Sequence, residues 1–456
     1  MPSRERAEGA ARAPDTIAAI ATPAGRGGIG VVRVSGPDAA RIARLITSVE
    51  LLPRVATLAT FRDASGAPID QGLALLFRAP HSYTGEEVLE LQGHGGAAVM
   101  QLLLGECLAH GARLAEPGEF TRRAFLNERI DLAQAESVAD LIDAESAAAA
   151  RGAARSLTGE FSARVNALTA SLVDLRAHVE ACIDFPEEEI DPADRAAQAA
   201  KLEAIEAQLR LLSVEARQGA VLRDGLTVVL VGAPNVGKSS LLNRLAGEEL
   251  AIVTAIPGTT RDHVRATLSL EGVPIHLIDT AGLRDPVDEV ERIGIERTWA
   301  AVALAGAALL ISEAGAAIGG HEEELVRRLP AGMPRAFVVN KIDLGKRRGG
   351  HEDAPGGARI AVSAKTGEGI DDLRRWLLET AGWQPHGEGL FLARTRHLEA
   401  LAAAQRHLAL AAGNSQAFEL FAEELRLAQM DLSRITGEFT ADSLLGEIFG
   451  RFCIGK

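Results

Sequence analysis

The sequence predicts a multidomain α/β and α chain: an N-terminal α+β domain, a helical domain in two segments, and a parallel α/β domain inserted between those segments. Three observations predict it. Residues from about 15 to 125 mix strand-like runs with glycine turns. After Pro117 no proline recurs until Pro186, and alanine, leucine and glutamate dominate the interval. From about Leu222 to Trp383, apolar strand, glycine loop and helix alternate, the signature of a parallel sheet. The expected boundaries are 1–125 for the first domain, 126–221 and 384–456 for the helical domain, and 222–383 for the insertion.

In chain order, the first ten or so residues read as a frayed tail. Ile29–Gly36 reads as a strand closed by a turn, Gly72–Phe77 as a second strand and Val88–Leu91 as a third. The Gly93–Gly96 segment, with His94 inside it, reads as a structural turn. Leu132, Ala135, Val138, Ala139 and Ile142 recur at helical spacing, as do Val165, Leu168, Leu172 and Leu175. Asp184–Glu189 breaks these helices, and its acidic run reads as a solvated face. A further amphipathic helix carries Leu202, Ile205, Leu209 and Leu212, and the chain from Phe391 reads as helical nearly to its end.

Hydrophobic residues make up 47% of the 456, which excludes a wholly disordered chain. Acids outnumber bases 62 to 48, a net charge of −14. Chains that cling non-specifically to nucleic acid usually show the opposite balance, so RNA contact is expected to be local or supplied by a partner. Cys107, Cys182 and Cys453 are too scattered for a disulfide framework or a Cys-rich metal site, which fits a reducing cytoplasm. The first residues carry no apolar signal region. The longest apolar stretch, Trp299–Ile311, is too short to span a bilayer. A cytoplasmic protein without membrane attachment is expected.

The insertion carries the chemistry. A buried-strand run, Thr227–Val231, leads into Gly232-Ala233-Pro234-Asn235-Val236-Gly237-Lys238-Ser239 and then a helix from Ser240. This is the context a phosphate-binding P-loop needs: glycines admit backbone N–H groups to phosphate oxygens, and the helix N-terminus adds its positive dipole end. Asn235, Val236, Gly237, Lys238, Ser239 and Ser240 are therefore candidate nucleotide contacts, with Lys238 reaching the β- and γ-phosphates and the Ser239 hydroxyl binding Mg²⁺. Downstream, a strand ends in Asp279-Thr280-Ala281-Gly282, where Asp279 supports the Mg²⁺ shell and the Gly282 N–H senses the γ-phosphate. Another strand ends in Asn340-Lys341-Ile342-Asp343, and the Asp343 carboxylate can accept two hydrogen bonds from guanine. Adenine would leave that carboxylate unpaired. Ser363-Ala364-Lys365 supplies a backbone N–H for guanine O6. Order and spacing are those of a Ras-like P-loop G domain that takes GTP rather than ATP.

Between P-loop and strand, the segment Thr254, Ala255, Ile256, Pro257, Gly258, Thr259 and Thr260 reads as a switch loop. Thr260 is the preferred Mg²⁺-binding threonine and Thr259 the fallback. Ras-like proteins place a water-orienting Gln right after Asp-x-x-Gly; here Leu283 stands there, and an apolar side chain cannot orient water. Candidates on the following loop are Arg284, Asp285, Asp288, Glu289 and Glu291. The strand Leu309–Glu313 ends in Glu where Asp is usual, and only a local loop change is expected from it.

The chain resembles the MnmE (TrmE) family of bacterial tRNA-modification GTPases from Asp15 to Lys456. Asp15-Thr16-Ile17, Ala21-Thr22-Pro23, Gly25–Gly30, Leu89–Gly96, Pro117–Thr121, Ala124–Asn127, Asp131–Glu136, Gly258–Asp262 and Phe452–Lys456 carry the resemblance. It implies a potassium-dependent GTPase that dimerises through its N-terminal domain and brings its G domains together across the dimer when GTP is bound. Asn235 matches the family's K⁺ ligand, and Thr254, Ile256 and Thr259 match the loop that wraps the ion. A cation there offsets charge as an arginine finger would; read alone, Asn235 is a turn residue tolerating left-handed geometry. Glu291 matches the family's catalytic glutamate, so Glu291 and Lys238 are the catalytic candidates. The resemblance also implies a 5-formyl-tetrahydrofolate or related folate in the N-terminal domain, at the positions of Arg33, Glu90, Arg129 and Lys456. Arg129 stands where Lys is also familiar, and Cys453 matches the family's C-terminal cysteine.

The implied partners are a second copy of the chain, the flavoprotein MnmG in a heterotetramer, and tRNA. With MnmG the family adds a carboxymethylaminomethyl or aminomethyl group at carbon 5 of wobble uridines. Two other readings are a regulatory ribosome-assembly or RNA-binding GTPase and a folate-dependent transferase that the G domain regulates.

Overall fold

The computed structural model describes residues 15–184, 192–233, 235–246, 266–279, 299–300, 302–314, 326–345, 348–354, 357–384, 389–438 and 442–455. The chain forms two compact units, 1–139 with 436–456, and 140–435.

In the first unit, β1 (Ile17–Ile20), β2 (Gly27–Ser35), β3 (Thr57–Arg62), β4 (Pro68–Phe77), β5 (Val88–Gly95) and β6 (Arg113–Leu114) make one sheet in the order β3-β4-β5-β2-β1-β6. Only β1 and β6 pair in parallel; the other neighbours are antiparallel. The alternation of side chains along each strand sorts the two faces. Ala18, Val32, Val34, Leu89 and Leu91 join Ile42 and Ile46 of α1 (Ala39–Thr47) and Leu103 of α2 (Ala97–Ala109) in one core. Ile17 and Ala19 face the other way, against Ala115 and Phe120 of α3 (Glu119–Leu126). Arg33 and Glu90 alternate with the first set and are register partners across β2 and β5, so they share that second face. Gly93–Gly95, expected in a turn, are instead the end of β5, and Gly96 precedes α2.

The same unit holds Leu132 and Ala135 of α4 (Leu132–Ile142), packed on Leu445, Ile448, Phe449 and Phe452 of the last helix, Asp442–Gly450, and its tail. Gly118 sits at φ +66°, and a Cβ there would lie 2.7 Å from the Phe449 carbonyl oxygen. Residues 126–139 and 436–456, assigned from sequence to the helical domain, fall in the same compact unit as the N-terminal sheet, and there Phe449 and Phe452 pack on Leu132 and Ala135.

The second unit combines helices with a seven-stranded sheet. α5 (Ala147–Leu157), α6 (Glu160–Asp184) and α7 (Pro192–Asp224) come first, and one residue, Gly225, separates the 33-residue α7 from β7 (Leu226–Val231). Gly225 has φ +62°, and a Cβ would lie 2.1 Å from the Pro274 carbonyl oxygen, so glycine alone makes this corner. Then follow α8 (Lys238–Ala246), β8 (Ala266–Leu270), β9 (Val273–Asp279), β10 (Ala307–Glu313), β11 (Arg335–Asn340), β12 (Gly350–Ala354), β13 (Gly357–Ala361) and α9 (Ile370–Thr380). Strand order is β12-β13-β11-β10-β7-β9-β8, antiparallel only at the two edge pairs. Near-continuous apolar runs suit strands buried on both faces. Val228, Leu230, Leu277, Leu309 and Val338 pack on Leu241 and Leu245 of α8 and Leu373 and Leu377 of α9. Val229, Val231, Ile278, Ala308 and Leu310 pack on Val302 and Leu329.

The chain returns to the helices at Phe391, which stacks on Phe161 at 4.6 Å between ring centroids. The Ser156 hydroxyl donates to the Leu392 carbonyl at 3.1 Å and accepts the Leu392 N–H at 3.0 Å. α10 (Thr395–Gly413) and α11 (Phe418–Thr436) complete the unit, and Leu168, Leu172, Leu209, Leu212, Leu401, Leu408, Leu425 and Leu432 are buried.

Candidate nucleotide site

The apolar strands of the second unit deliver the site residues to one end of its sheet. Parallel strands place their C-terminal ends together, and α/β sheets bind ligands there. β7 ends at Val231, where the P-loop begins; β9 ends at Asp279, whose backbone pairs in register with Leu230; β11 ends at Asn340; β13 leads into Ser363. Asn235 has φ +64° and Gly237 φ +93°, and this turn carries the chain into α8, which starts at Lys238. The Lys238 ammonium donates to the Gly232 carbonyl and to the Ala233 carbonyl, the latter at 3.3 Å, which holds it within the curve of the loop. Val236 is buried in the core, whereas Ser239 and Ser240 are exposed in the first turn of α8, where Ser239 can offer its hydroxyl to a cation.

The Asn340–Asp343 and Ser363–Lys365 segments are tied to this loop by one buried residue. Asn340 is 1% exposed. Its Nδ2 donates to the Val236 carbonyl at 2.9 Å, and its Oδ1 accepts the Lys341 N–H at 2.8 Å and the Ala364 N–H at 3.1 Å. Gly237 is required where it stands: a Cβ would lie 2.4 Å from that Nδ2. Ser363 Oγ donates to Asp343 Oδ1 at 2.7 Å, fixing the carboxylate while Asp343 itself remains exposed. Lys341, at φ +62°, donates from Nζ to the Asn235 carbonyl at 2.9 Å and pairs with Glu313. The strand-ending Glu313 therefore does more than alter a local loop: its longer side chain reaches Lys341. Sequence reasoning also passed over Arg244 of α8, which no motif marks; its Nε donates to the Ala364 carbonyl at 3.1 Å and its Nη2 to the Lys365 carbonyl at 2.6 Å.

The structure thus joins Asn235, Val236, Gly237 and Lys238 to Asn340, Lys341, Asp343, Ser363 and Ala364. Thr254, Ala255, Ile256, Pro257, Gly258, Thr259, Thr260, Thr280, Ala281, Gly282, Leu283, Arg284, Asp285, Asp288, Glu289, Glu291 and Lys456 lie outside the described residues.

In the first unit, Arg33 Nε and Nη2 both reach Glu90 Oε1 at 2.9 Å. The guanidinium lies 5.6 Å from the Tyr83 ring centroid and 5.8 Å from that of Phe120. Arg129 is exposed, with its side-chain stem beside Gly85. Cys453 is exposed, and its carbonyl accepts the Gly118 N–H at 3.4 Å. His94 is exposed and bonded through Nδ1 to Asp70 at 2.8 Å. Near this face, Arg113 grips Glu119 through two hydrogen bonds of 2.6 and 2.8 Å, and Arg123 bonds Glu119 at 2.9 Å and Asp15 at 2.7 Å. Burial pushes the Glu119 carboxyl up, but hydrogen bonds from Arg113, the Glu116 N–H and Arg123 outweigh it in sum and hold it below the usual range. Among the described residues no helix is long and apolar enough to cross a membrane.

A P-loop on a parallel sheet, locked to Asn-Lys-x-Asp and Ser-Ala-Lys elements, defines a P-loop GTPase domain. The family described as the MnmE helical domain matches residues 132–453, and that described as the GTP-binding protein TrmE N-terminus matches residues 16–129. A tRNA modification GTPase MnmE from Thiobacillus denitrificans is 59% identical over 443 residues, covering 97% of this chain and 98% of the relative. One from Azoarcus sp. is 59% identical over 448 residues, covering 98% and 99%. The G domain of the T. maritima FeoB iron transporter aligns at 26% identity with a TM-score of 0.26, over 34% of this chain and 98% of that one. The chain belongs to the MnmE family of tRNA modification GTPases, and it is a GTP hydrolase.

Proposed function

We propose that this chain is a potassium-dependent GTPase that works with the flavoprotein MnmG on tRNA, adding a carboxymethylaminomethyl or aminomethyl group at carbon 5 of the wobble uridine. One observation carries the nucleotide part of this reading: Asn340 ties the guanine-reading segments to the P-loop through three hydrogen bonds. Such a lock presents Asp343 and the phosphate loop as one rigid surface. The Asp343 carboxylate, held by Ser363, pairs with the N–H groups of guanine and stays unpaired with adenine. Lys238 neutralises the β- and γ-phosphates, and Ser239 with Thr260 holds Mg²⁺, which supplies charge neutralisation during phosphoryl transfer. Asn235, Thr254, Ile256 and Thr259 hold K⁺; the exposed left-handed turn at Asn235 leaves its side chain available for this. Glu291 orients water in place of the Gln that Leu283 replaces.

In the N-terminal unit, Arg33, Glu90, Arg129 and Lys456 bind a 5-formyl-tetrahydrofolate or related folate. Both Arg33 contacts go to Glu90 Oε1, so Oε2 is the oxygen for pterin N–H donors, and the Tyr83 and Phe120 rings suit a flat heterocycle. The domains proposed are 1–125, 126–221 with 384–456, and 222–383, acting as a homodimer in the cytoplasm. The test is GTP hydrolysis in KCl against NaCl, together with mass spectrometry of tRNA nucleosides after loss of the gene and rescue by this chain. Equal rates in the two salts remove potassium from the mechanism, and unaltered wobble uridines remove the modification.

A further inference from the structure

We infer that Arg244 is a positioning residue for guanine selectivity, holding the Ser363–Lys365 loop so that a backbone N–H faces position 6 of the base. This rests on the guanine reading above and adds to it a side chain outside the nucleotide-binding motifs. The guanidinium holds two consecutive carbonyls, those of Ala364 and Lys365. In a planar trans peptide the C=O and N–H point in opposite directions. Fixing the Ala364 carbonyl toward α8 therefore turns the Lys365 N–H away from α8. The next peptide already displays this arrangement: the Lys365 carbonyl goes to Arg244, while the Thr366 N–H points back to Ser363 Oγ at 3.1 Å. That hydroxyl is the one that donates to Asp343 at 2.7 Å, so the N–H side of the loop faces the base-reading carboxylate. Arg244 thus clamps the outer side of the loop, and Asn340, through the Ala364 N–H, clamps the inner. Because Arg244 lies on the helix that begins at Lys238, phosphate grip and base grip share one rigid element. A forked donor suits two adjacent carbonyls; a lysine ammonium at the end of a flexible stem holds them less well.

The experiment measures the affinity of the full chain for GDP, for IDP, which keeps O6 and lacks the 2-amino group, and for the 2-aminopurine riboside diphosphate, which lacks O6. Wild type is expected to bind GDP more tightly than the 2-aminopurine nucleotide. Arg244→Ala should weaken GDP and IDP by about fivefold and leave the 2-aminopurine nucleotide unchanged, with Arg244→Lys in between. Equal weakening of all three nucleotides, or no weakening of GDP, overturns the role of Arg244 while leaving the base reading intact. A wild-type chain that binds GDP and the 2-aminopurine nucleotide equally overturns both.

Discussion

Replacing Asn340 tests the lock between base and phosphate elements most directly. Asn340→Ala deletes one donor to the Val236 carbonyl and one acceptor shared by the Lys341 and Ala364 N–H groups, at a position 1% exposed. At about 1 kcal/mol net for each of the three bonds, the loss is about 3 kcal/mol. Asn340→Asp separates the contributions. It keeps the acceptor but sets a second oxygen against the Val236 carbonyl, so it is also destabilising, by about 1–3 kcal/mol. The three tryptophans, Trp299, Trp376 and Trp383, all lie in the unit that contains this sheet, so urea unfolding of the nucleotide-free chain can be followed by their fluorescence. With a slope near 3 kcal/mol per molar urea, the alanine variant should lose about 1 M in midpoint. A midpoint shift below about 0.3 M, under about 1 kcal/mol, would show that the three bonds are not holding the strand ends together. GDP should recover less stability in the variant than in wild type, because the binding surface is no longer assembled in advance.

Two further outcomes follow from the charges. Glu313→Ala frees Lys341 from its partner, and GDP should dissociate about threefold faster at low ionic strength; the pair is partly exposed, so the difference should shrink in high salt. A salt-independent difference would mean that Glu313 acts through packing. Glu119 binds its proton more weakly in the folded chain than in the unfolded one, so its contribution is present above the ordinary carboxylate pKa of about 4 and is lost as the pH falls through its folded value. The stability gap between wild type and Arg113→Ala should therefore be widest near neutrality and narrow in acid, measured by thermal unfolding across pH; a constant gap would refute the linkage.

The local parts of the candidate nucleotide site are legible in sequence because each is contiguous. Glycine at 237, Lys238 and Ser239 sit side by side, and the strand before them is apolar throughout, so motif and context coincide. The interactions that join separate motifs were not readable. Asn340 meets Val236 across 104 positions, and Arg244 meets Ala364 across 120. Nothing in the local pattern distinguishes Arg244 from any exposed arginine on a helix. Glu313 was recognisable as a departure, but its partner Lys341 lies 28 residues away, so the consequence was not. The Gly93–Gly95 run looked like a turn because glycine favours turns; cross-strand pairing with Gly27 and Gly30 absorbs it into a strand instead. In 442–450 helical periodicity reveals that a face is apolar but not which neighbour covers it; that Leu132 and Ala135 do so is seen only in the structure.

The corner at Gly225 has a mechanical consequence. A 33-residue helix is a rod of about 50 Å, and here it is welded to the strand that leads into the phosphate loop with a single residue of slack. A tilt of about 5° at that joint would carry the rod's distant tip through about 4 Å, given 1.5 Å of rise per residue. Lengthening the joint by even a few flexible residues would let the strand shift without swinging the rod, uncoupling the motor from its shaft while leaving each intact.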